Sequence, residues 1–94
     1  MNMERVQVKR VRGWRKPEGA IYVGRPSKWG NPYSVTEHGR EQAVHLYREH
    51  LAGMPKEERD KLLEPLRTAT ALCCWCKPSE LCHADVLLAY LNNN

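Results

Sequence analysis

The sequence contains no phenylalanine, no long apolar run and no cysteine outside positions 73 to 82. Its apolar content therefore rests on Leu, Val, Ala, Tyr and three Trp residues. No apolar run approaches the about 20 residues that a membrane span requires. The first residues also lack the apolar segment of a signal peptide. These absences argue against membrane insertion and export, and they predict a cytoplasmic protein with no membrane partner.

Acidic residues are scarce in the first third of the chain. Residues 1–30 contain eight Lys or Arg against two acidic residues, whereas residues 31–94 carry a small excess of acid. A basic stretch over residues 5–28 predicts a negatively charged partner, which is nucleic acid, a nucleotide or phosphate. The alternative is a solvated basic face that binds none of these.

A chain of 94 residues predicts one domain over residues 1–94, with frayed ends at 1–3 and 92–94. Alternating apolar residues predict a strand over Glu4–Val11, and a β-rich run predicts another over Ala20–Val23. We expect these two strands to pair as a hairpin, although a long turn separates them. Apolar residues at helical spacing predict helices over Glu41–Leu51 and Pro55–Leu63.

The four cysteines lie between a predicted strand and a predicted helix. The apolar run Ala69–Cys76 predicts a buried strand, which we expect to be central in the sheet. A Lys-Pro-Ser turn follows, and Leu81–Leu91 has helical spacing. In α/β proteins, ligands commonly bind where a strand ends and a helix begins.

Three thiols and one imidazole in this stretch make an adequate zinc ligand set. We call this set the Cys-His cluster; its members are Cys74, Cys76, Cys82 and His83. On a strand, Cys74 and Cys76 share one face. Against a metal site, adjacent residues on a helix point roughly 100° apart, so it is awkward for Cys82 and His83 to hold the same ion.

Two other interpretations of the Cys-His cluster need no metal. Unpaired amides at a helix N-terminus lower the pKa of a cysteine there, which makes Cys82 a candidate nucleophile with His83 as its proton donor or acceptor. The same helix start could instead bind an anion. Alternatively, the cysteines are plain core, because cysteine is among the most buried residue types.

The segment from Arg25 to Tyr33, which we call the Arg25–Tyr33 loop, combines turn residues with side chains suited to recognition. Its glycine and prolines exclude regular structure. We predict that this loop folds against the Cys-His cluster and forms one pocket with it. The candidate ligand-binding residues are Arg25 and Lys28 for phosphate, Trp29 for a base and Asn31 for an orienting hydrogen bond.

Two segments together resemble a known family. The first is Ile21–Tyr33, with Gly24-Arg25 and Trp29-Gly30-Asn31-Pro32; the second contains Cys74-Trp75-Cys76 and Cys82-His83. They resemble the domain-of-unknown-function family 4326, which is common in phage and bacterial genomes. Cys73 is extra to the family pattern, whereas the Cys-His cluster matches it.

The resemblance implies a compact α/β fold and a functional pairing of the two motifs, but no activity. A phage origin would place the protein in the host cytoplasm. The Cys-His pair is also similar to one in another uncharacterised bacterial family with a Rossmann-like fold, and such folds often bind nucleotides, which is an argument by analogy.

We therefore expect a single small α/β domain with a Rossmann-like character, a sheet of three or four strands and about three helices. The preferred function is binding or processing of a nucleotide-like or phosphate-bearing small molecule, with no decision on whether the protein is an enzyme. The alternatives are a zinc-stabilised nucleic-acid-binding module and a non-catalytic protein that interacts with host proteins.

Overall fold

Three parallel strands form the centre of the molecule. The computed structural model describes residues 3–77 and 79–92. The strands are β1 (Glu4–Gln7), β2 (Ile21–Tyr22) and β3 (Ala71–Cys74). Their spatial order is β1-β3-β2, so β3 lies in the middle as the sequence predicts. All four residues of β3 are buried, which suits a strand with a neighbour on each side.

Four α-helices accompany the sheet within the described residues. They are α1 (Val35–His38), α2 (Arg40–Ala52), α3 (Lys56–Leu63) and α4 (His83–Asn92), and a 3₁₀ turn over Glu64–Leu66 follows α3. The Ser34 side chain accepts from the backbone N–H of Thr36 and caps α1. Gly39, with a φ of 80°, separates α1 from α2 in a conformation that favours glycine. The sequence patterns predict three of these helices to within two residues at each end and miss α1.

The predicted hairpin of β1 and β2 is wrong. Both strands pair in parallel with β3, which places Gln7 opposite Cys74 and Tyr22 opposite Cys73. The connection 8–20 therefore passes from one side of β3 to the other, which a tight turn could not do. A hairpin would also have left one edge of the apolar strand β3 without a hydrogen-bonding neighbour.

The two faces of β3 pack against different layers. Leu72 and Cys74 belong to the main core with residues of the helices, among them Leu51 of α2 and Leu87 of α4. Cys73 belongs to a smaller cluster on the other face, which Val6, Val8 and Tyr22 help to cover. Because side chains alternate along a strand, Cys73 is separated from the Cys-His cluster by the sheet itself.

The predicted class, a small α/β domain with a three-stranded sheet, is confirmed, but a Rossmann-like arrangement is not. No described helix lies between β1 and β2, so the strand-helix alternation of that fold is missing there. At the ends, Met3 and Asn92 exchange hydrogen bonds of 2.9 and 3.1 Å. The other residues for which we expected fraying, and Pro78 of the predicted turn, lie outside the described residues. No helix in the described part of the chain is long and apolar enough to cross a membrane.

The Arg25–Tyr33 loop is held to the helices by its own polar side chains. Asn31 is buried, donates to the carbonyl oxygen of Ala43 in α2 at 3.0 Å and accepts from the N–H of Tyr33 at 2.9 Å. The Trp29 indole donates to the carbonyl oxygen of Leu62 in α3 at 2.7 Å. These contacts fix the loop against α2 and α3.

We expect replacement of Asn31 by alanine to lower the free energy of unfolding by about 1–3 kcal/mol, because it removes two hydrogen bonds from a buried site. Urea denaturation at fixed zinc concentration measures the change. The control is Gln42→Ala, which removes a similar amide from an exposed position of α2 and should cost less than about 0.5 kcal/mol. Equal stability of the two variants would contradict a structural role for Asn31.

Candidate metal centre and the adjoining pocket

The candidate site lies at the carboxyl edge of the sheet. Hydrogen bonding continues past the strand ends, from Val8 N–H to the Cys74 carbonyl oxygen at 2.7 Å and from Val23 N–H to that of Cys73 at 2.9 Å. The segments that leave the three strands are therefore side by side. The turn after β3 then leads to α4, whose first residue is His83. This edge is where parallel α/β sheets generally hold ligands.

Three sulfur atoms converge there. The Sγ atoms of Cys74, Cys76 and Cys82 all lie within 4.8 Å of one another, and Cys74 and Cys82 are 3.2 Å apart. Cys74 and Cys82 are buried, whereas Cys76 is half-buried. In a tetrahedral zinc site the sulfurs are separated by about 3.8 Å, as follows from Zn–S bonds of about 2.3 Å. The three thiols are therefore close to the spacing that one ion requires.

His83 lies beside the three sulfurs and presents one particular nitrogen to Cys82, but it is not part of the group whose ligand atoms all lie within 4.8 Å of one another. Its Nε2 lies 2.8 Å from the carbonyl oxygen of Val23, which can only accept, so Nε2 carries a proton. In the neutral ring, Nδ1 is then an acceptor, and it lies 3.6 Å from the Cys82 sulfur. That separation matches the about 3.6 Å between a sulfur and a nitrogen ligand of one tetrahedral zinc ion. Metal-binding histidines commonly donate their second N–H to a carbonyl in this way.

The position of Cys82 removes the geometric objection to adjacent ligands. The sequence pattern places Cys82 inside the last helix, but α4 begins only at His83. Cys82 precedes it, and its backbone N–H donates to the Asp85 carboxylate at 3.1 Å. Because Cys82 is not helical, its side chain and that of His83 approach each other instead of diverging by a helical step.

Two arginines lie against the sulfurs. Arg40 of α2 donates to the Cys76 sulfur at 3.3 Å and to the carbonyl oxygen of Leu81 at 3.1 Å. Arg5 of β1 interacts with Cys82 and forms an ion pair with Asp85 at 3.3 Å. Cationic donors beside a thiolate stabilise its negative charge. These two cations act in favour of the deprotonated form of the sulfur that each one contacts, which is the form that binds metals.

Sequence patterns gave no sign of these two arginines. Alternation in β1 predicts that Arg5 lies on the open face, but its side chain is only 9% exposed. The apolar spacing of α2 predicts that Arg40, which is outside its apolar stripe, faces water. Both lie far from the cysteines in sequence, and only the pairing of β1 with β3 and the packing of α2 bring them to the site. No local motif could have identified them.

The three thiols do not titrate alike. The hydrogen bond between the Cys74 and Cys82 sulfurs is the main cause that holds the pKa of Cys82 well below its ordinary value, and a positively charged His83 ring and the Ala84 backbone N–H act in the same direction against burial. The same hydrogen bond to Cys82, together with burial, raises the pKa of Cys74. Burial is also the main cause that raises the pKa of Cys76. Negative charge is thus concentrated on Cys82.

Cys82, the predicted nucleophile, is too deeply buried for easy access by a substrate. Cys82 has the depressed pKa that a nucleophile needs, but only 1% of its surface is exposed, and the nearest thiol rather than the helix start is the main cause. A substrate would have to displace neighbouring atoms to reach the sulfur. The buried sulfur is better suited to bind a single metal ion than to attack a substrate and form a covalent intermediate.

A cavity of about 280 Å³ adjoins the Cys-His cluster at His83. Besides His83 it is lined by Arg25, Asn31, Tyr33, Ser34, Val35 and Thr36. Of the four candidate ligand-binding residues, the structure thus places Arg25 and Asn31 on this cavity. Lys28 and Trp29 are not among its lining residues; the Lys28 ammonium lies 4.9 Å from the centre of the Trp29 ring, which is hydrogen-bonded to α3.

Tyr47 of α2 connects the loop to the cluster. Its hydroxyl donates to the carbonyl oxygen of Trp29 at 2.7 Å, and its ring meets the His83 ring edge-on at 5.3 Å between centroids. Burial raises the pKa of this hydroxyl, which stays protonated as a donor. The apolar spacing of α2 predicts that Tyr47 is on its buried face, as observed, but this contact with His83 has no local signal in the sequence.

We expect the neutral His83 ring to be the Nε2–H tautomer, because the Val23 carbonyl oxygen requires a donor. Two-dimensional ¹⁵N NMR of the imidazole, recorded above the ordinary pKa of histidine, distinguishes the tautomers. His45 is exposed on α2 and serves as the reference for a ring in water. A proton on Nδ1 of His83 would contradict the geometry and would leave no lone pair facing Cys82.

Comparison with known proteins gives a family and nothing more specific. A family model described as "Domain of unknown function (DUF4326)" matches residues 6–93. No curated protein and no solved structure matches the chain. The match covers the Arg25–Tyr33 loop and the Cys-His cluster, which are the two segments on which the resemblance was based.

Proposed function

The chain belongs to the DUF4326 family, a family of domains of unknown function, so membership indicates no activity. We therefore propose a function from the geometry of the site. The chain is a zinc-binding domain, and the Cys-His cluster holds one zinc ion. The observation that carries this proposal is the convergence of three sulfur atoms within 4.8 Å. Cysteine and histidine are the ligands that zinc prefers, and buried thiols without disulfides are available to bind it.

The ion is structural. Three sulfurs and, after a shift of its ring toward Cys74 and Cys76, the Nδ1 atom of His83 would fill the four positions of a tetrahedral zinc ion and leave none open for water or substrate. It would join the end of β3, the turn after it and the first residue of α4. In a domain of 94 residues the core alone is modest, and a metal adds stability directly.

We expect freshly purified protein to contain about one equivalent of zinc, and cobalt substitution to give the thiolate charge-transfer bands of a tetrahedral site. Cys76→Ser and His83→Gln should each weaken zinc binding by about 10-fold or more. Elemental analysis and competition with a chromogenic chelator measure both quantities.

Cys73→Ser is the control, because Cys73 is a thiol more deeply buried than Cys76 but lies on the face of β3 opposite to Cys74. It should keep the full zinc content, even if the domain becomes less stable. Metal-free protein that folds with unchanged stability, or equal zinc loss in the Cys73 and Cys76 variants, would refute the zinc proposal.

A second function is favoured by the cavity beside His83, namely binding of a phosphate-bearing, nucleotide-like small molecule. Arg25 is exposed and supplies positive charge, and the hydroxyls of Ser34 and Thr36 supply hydrogen bonds. The volume lies at the lower limit of ligand pockets, so the cavity suits a phosphate group with part of a nucleoside better than a dinucleotide.

Calorimetric titration of zinc-loaded protein with pyrophosphate and a panel of nucleotides tests the second function. Arg25→Gln should reduce the affinity for the best ligand about 10-fold or more, because it removes a charged hydrogen bond. Lys28→Gln removes the same charge from the same loop but outside the cavity. It should change the affinity for that ligand by less than about 2-fold. Absence of binding, or equal losses in both variants, would contradict a ligand site at Arg25.

A further inference from the structure

A cationic surface lies beside the metal centre and takes no part in it. Five exposed side chains form it, and we call it the cationic edge. They are Lys9, Arg10, Arg12, Trp75 and Lys77. The first three follow β1, and the other two follow β3. Because β1 and β3 are parallel neighbours, the segments after them emerge side by side.

Direct contacts join the two segments. The Val8 N–H donates to the Cys74 carbonyl oxygen at 2.7 Å, immediately before Lys9 and Trp75. The Arg10 guanidinium lies over the Trp75 ring, 5.1 Å from its centre. Trp75 nevertheless remains 46% exposed, which is a large apolar area to leave in water. An exposed aromatic ring flanked by cations is thus built into the end of the sheet.

One carboxylate, that of Glu80, reaches the cationic edge, where it accepts from the Lys77 backbone N–H at 3.0 Å. Within residues 3–77 and 79–92, no acidic side chain lies within ion-pair distance of its four cations. Glu80 and Asp85, the acids closest in sequence to Lys77, are paired with Arg40 and Arg5. Between residues 8 and 20, Glu18 is the single acid among six charged residues.

We propose that the cationic edge binds single-stranded nucleic acid, with one base stacked on Trp75 and the adjacent phosphates on the four cations. Aromatic rings beside a basic track are the common means of binding single strands without sequence preference. This goes beyond the zinc proposal: the cationic edge contains none of the proposed zinc ligands, although Trp75 lies between Cys74 and Cys76 in sequence.

A single strand fits this surface better than a duplex or a membrane. In a duplex the faces of the bases are stacked on each other and unavailable to Trp75. A membrane surface would favour a broad apolar face, but Trp75 and Val11 are the only large apolar side chains exposed along residues 8–20 and 75–77. The Trp75 ring among the separate cations of the cationic edge matches the alternating bases and phosphates of a single strand.

Fluorescence anisotropy with labelled oligothymidylate and oligouridylate of about 12 nucleotides tests the proposal on the zinc-loaded chain. We expect the affinity to fall with salt, with a log-log slope that becomes shallower by about 0.7 for each cation removed. Trp75→Ala should weaken binding about 5- to 100-fold. Lys9→Gln combined with Arg12→Gln should both weaken binding and flatten the salt slope, and the oligothymidylate and oligouridylate arms show whether DNA or RNA is preferred.

Arg48→Gln combined with Lys61→Gln is the matched control, because it removes the same charge from exposed positions of α2 and α3. This control should change the affinity for the oligonucleotide by less than about 2-fold relative to the unchanged chain, and it should change the salt slope little. Circular dichroism confirms that each variant folds. The proposal is overturned if no salt-dependent binding occurs, if the control loses as much affinity as the Lys9 and Arg12 variant, or if the duplex form or anionic vesicles bind more tightly than the single strand. Because the oligonucleotide assay reads binding directly, a failure of the zinc proposal would be seen separately in the metal content.

Discussion

The position of β3 between two parallel strands determines the rest of the structure. Parallel pairing on both sides directs all three carboxyl ends to one edge, and it requires the connection 8–20 to cross the sheet. The crossing covers the Cys73 face of β3, while the helices cover the other face. As a result, the Arg25–Tyr33 loop, the basic residues after β1 and the cysteines after β3 are all delivered to the same edge, although they are distant in sequence.

Charge at the candidate metal centre is balanced by groups from different elements. Thiolates in a buried place would be costly without positive partners. Arg5 comes from β1 and Arg40 from α2, and each lies against a different sulfur. Asp85 holds Arg5 in place while its carboxylate also accepts from the Cys82 backbone. The site is therefore supported by the tertiary fold rather than by the local cysteine motif alone.

The elements around the cluster could be predicted because they have local signals. An apolar run gave β3, and apolar spacing gave α4 from Leu81 to Leu91, close to its observed bounds. What β3 pairs with could not be predicted, because strand partners depend on contacts distant in sequence. The same limit applies to Asn31 and Trp29. Both looked like ligand-binding residues, but they satisfy backbone groups of α2 and α3, whose location no local pattern reveals.

His83 is in contact with two separate sites at once. One ring nitrogen is fixed by Val23, the other faces Cys82, and the ring also lines the cavity beside Arg25. The ring cannot rotate to suit one neighbour without disturbing the other. If the domain has both proposed functions, binding in the cavity and binding at the metal centre would be linked equilibria: the factor by which one ligand changes the affinity for the other would equal the factor in the reverse direction. Under the two proposed functions, a single imidazole would make the zinc affinity of this domain depend on the concentration of its small-molecule ligand, and the reverse.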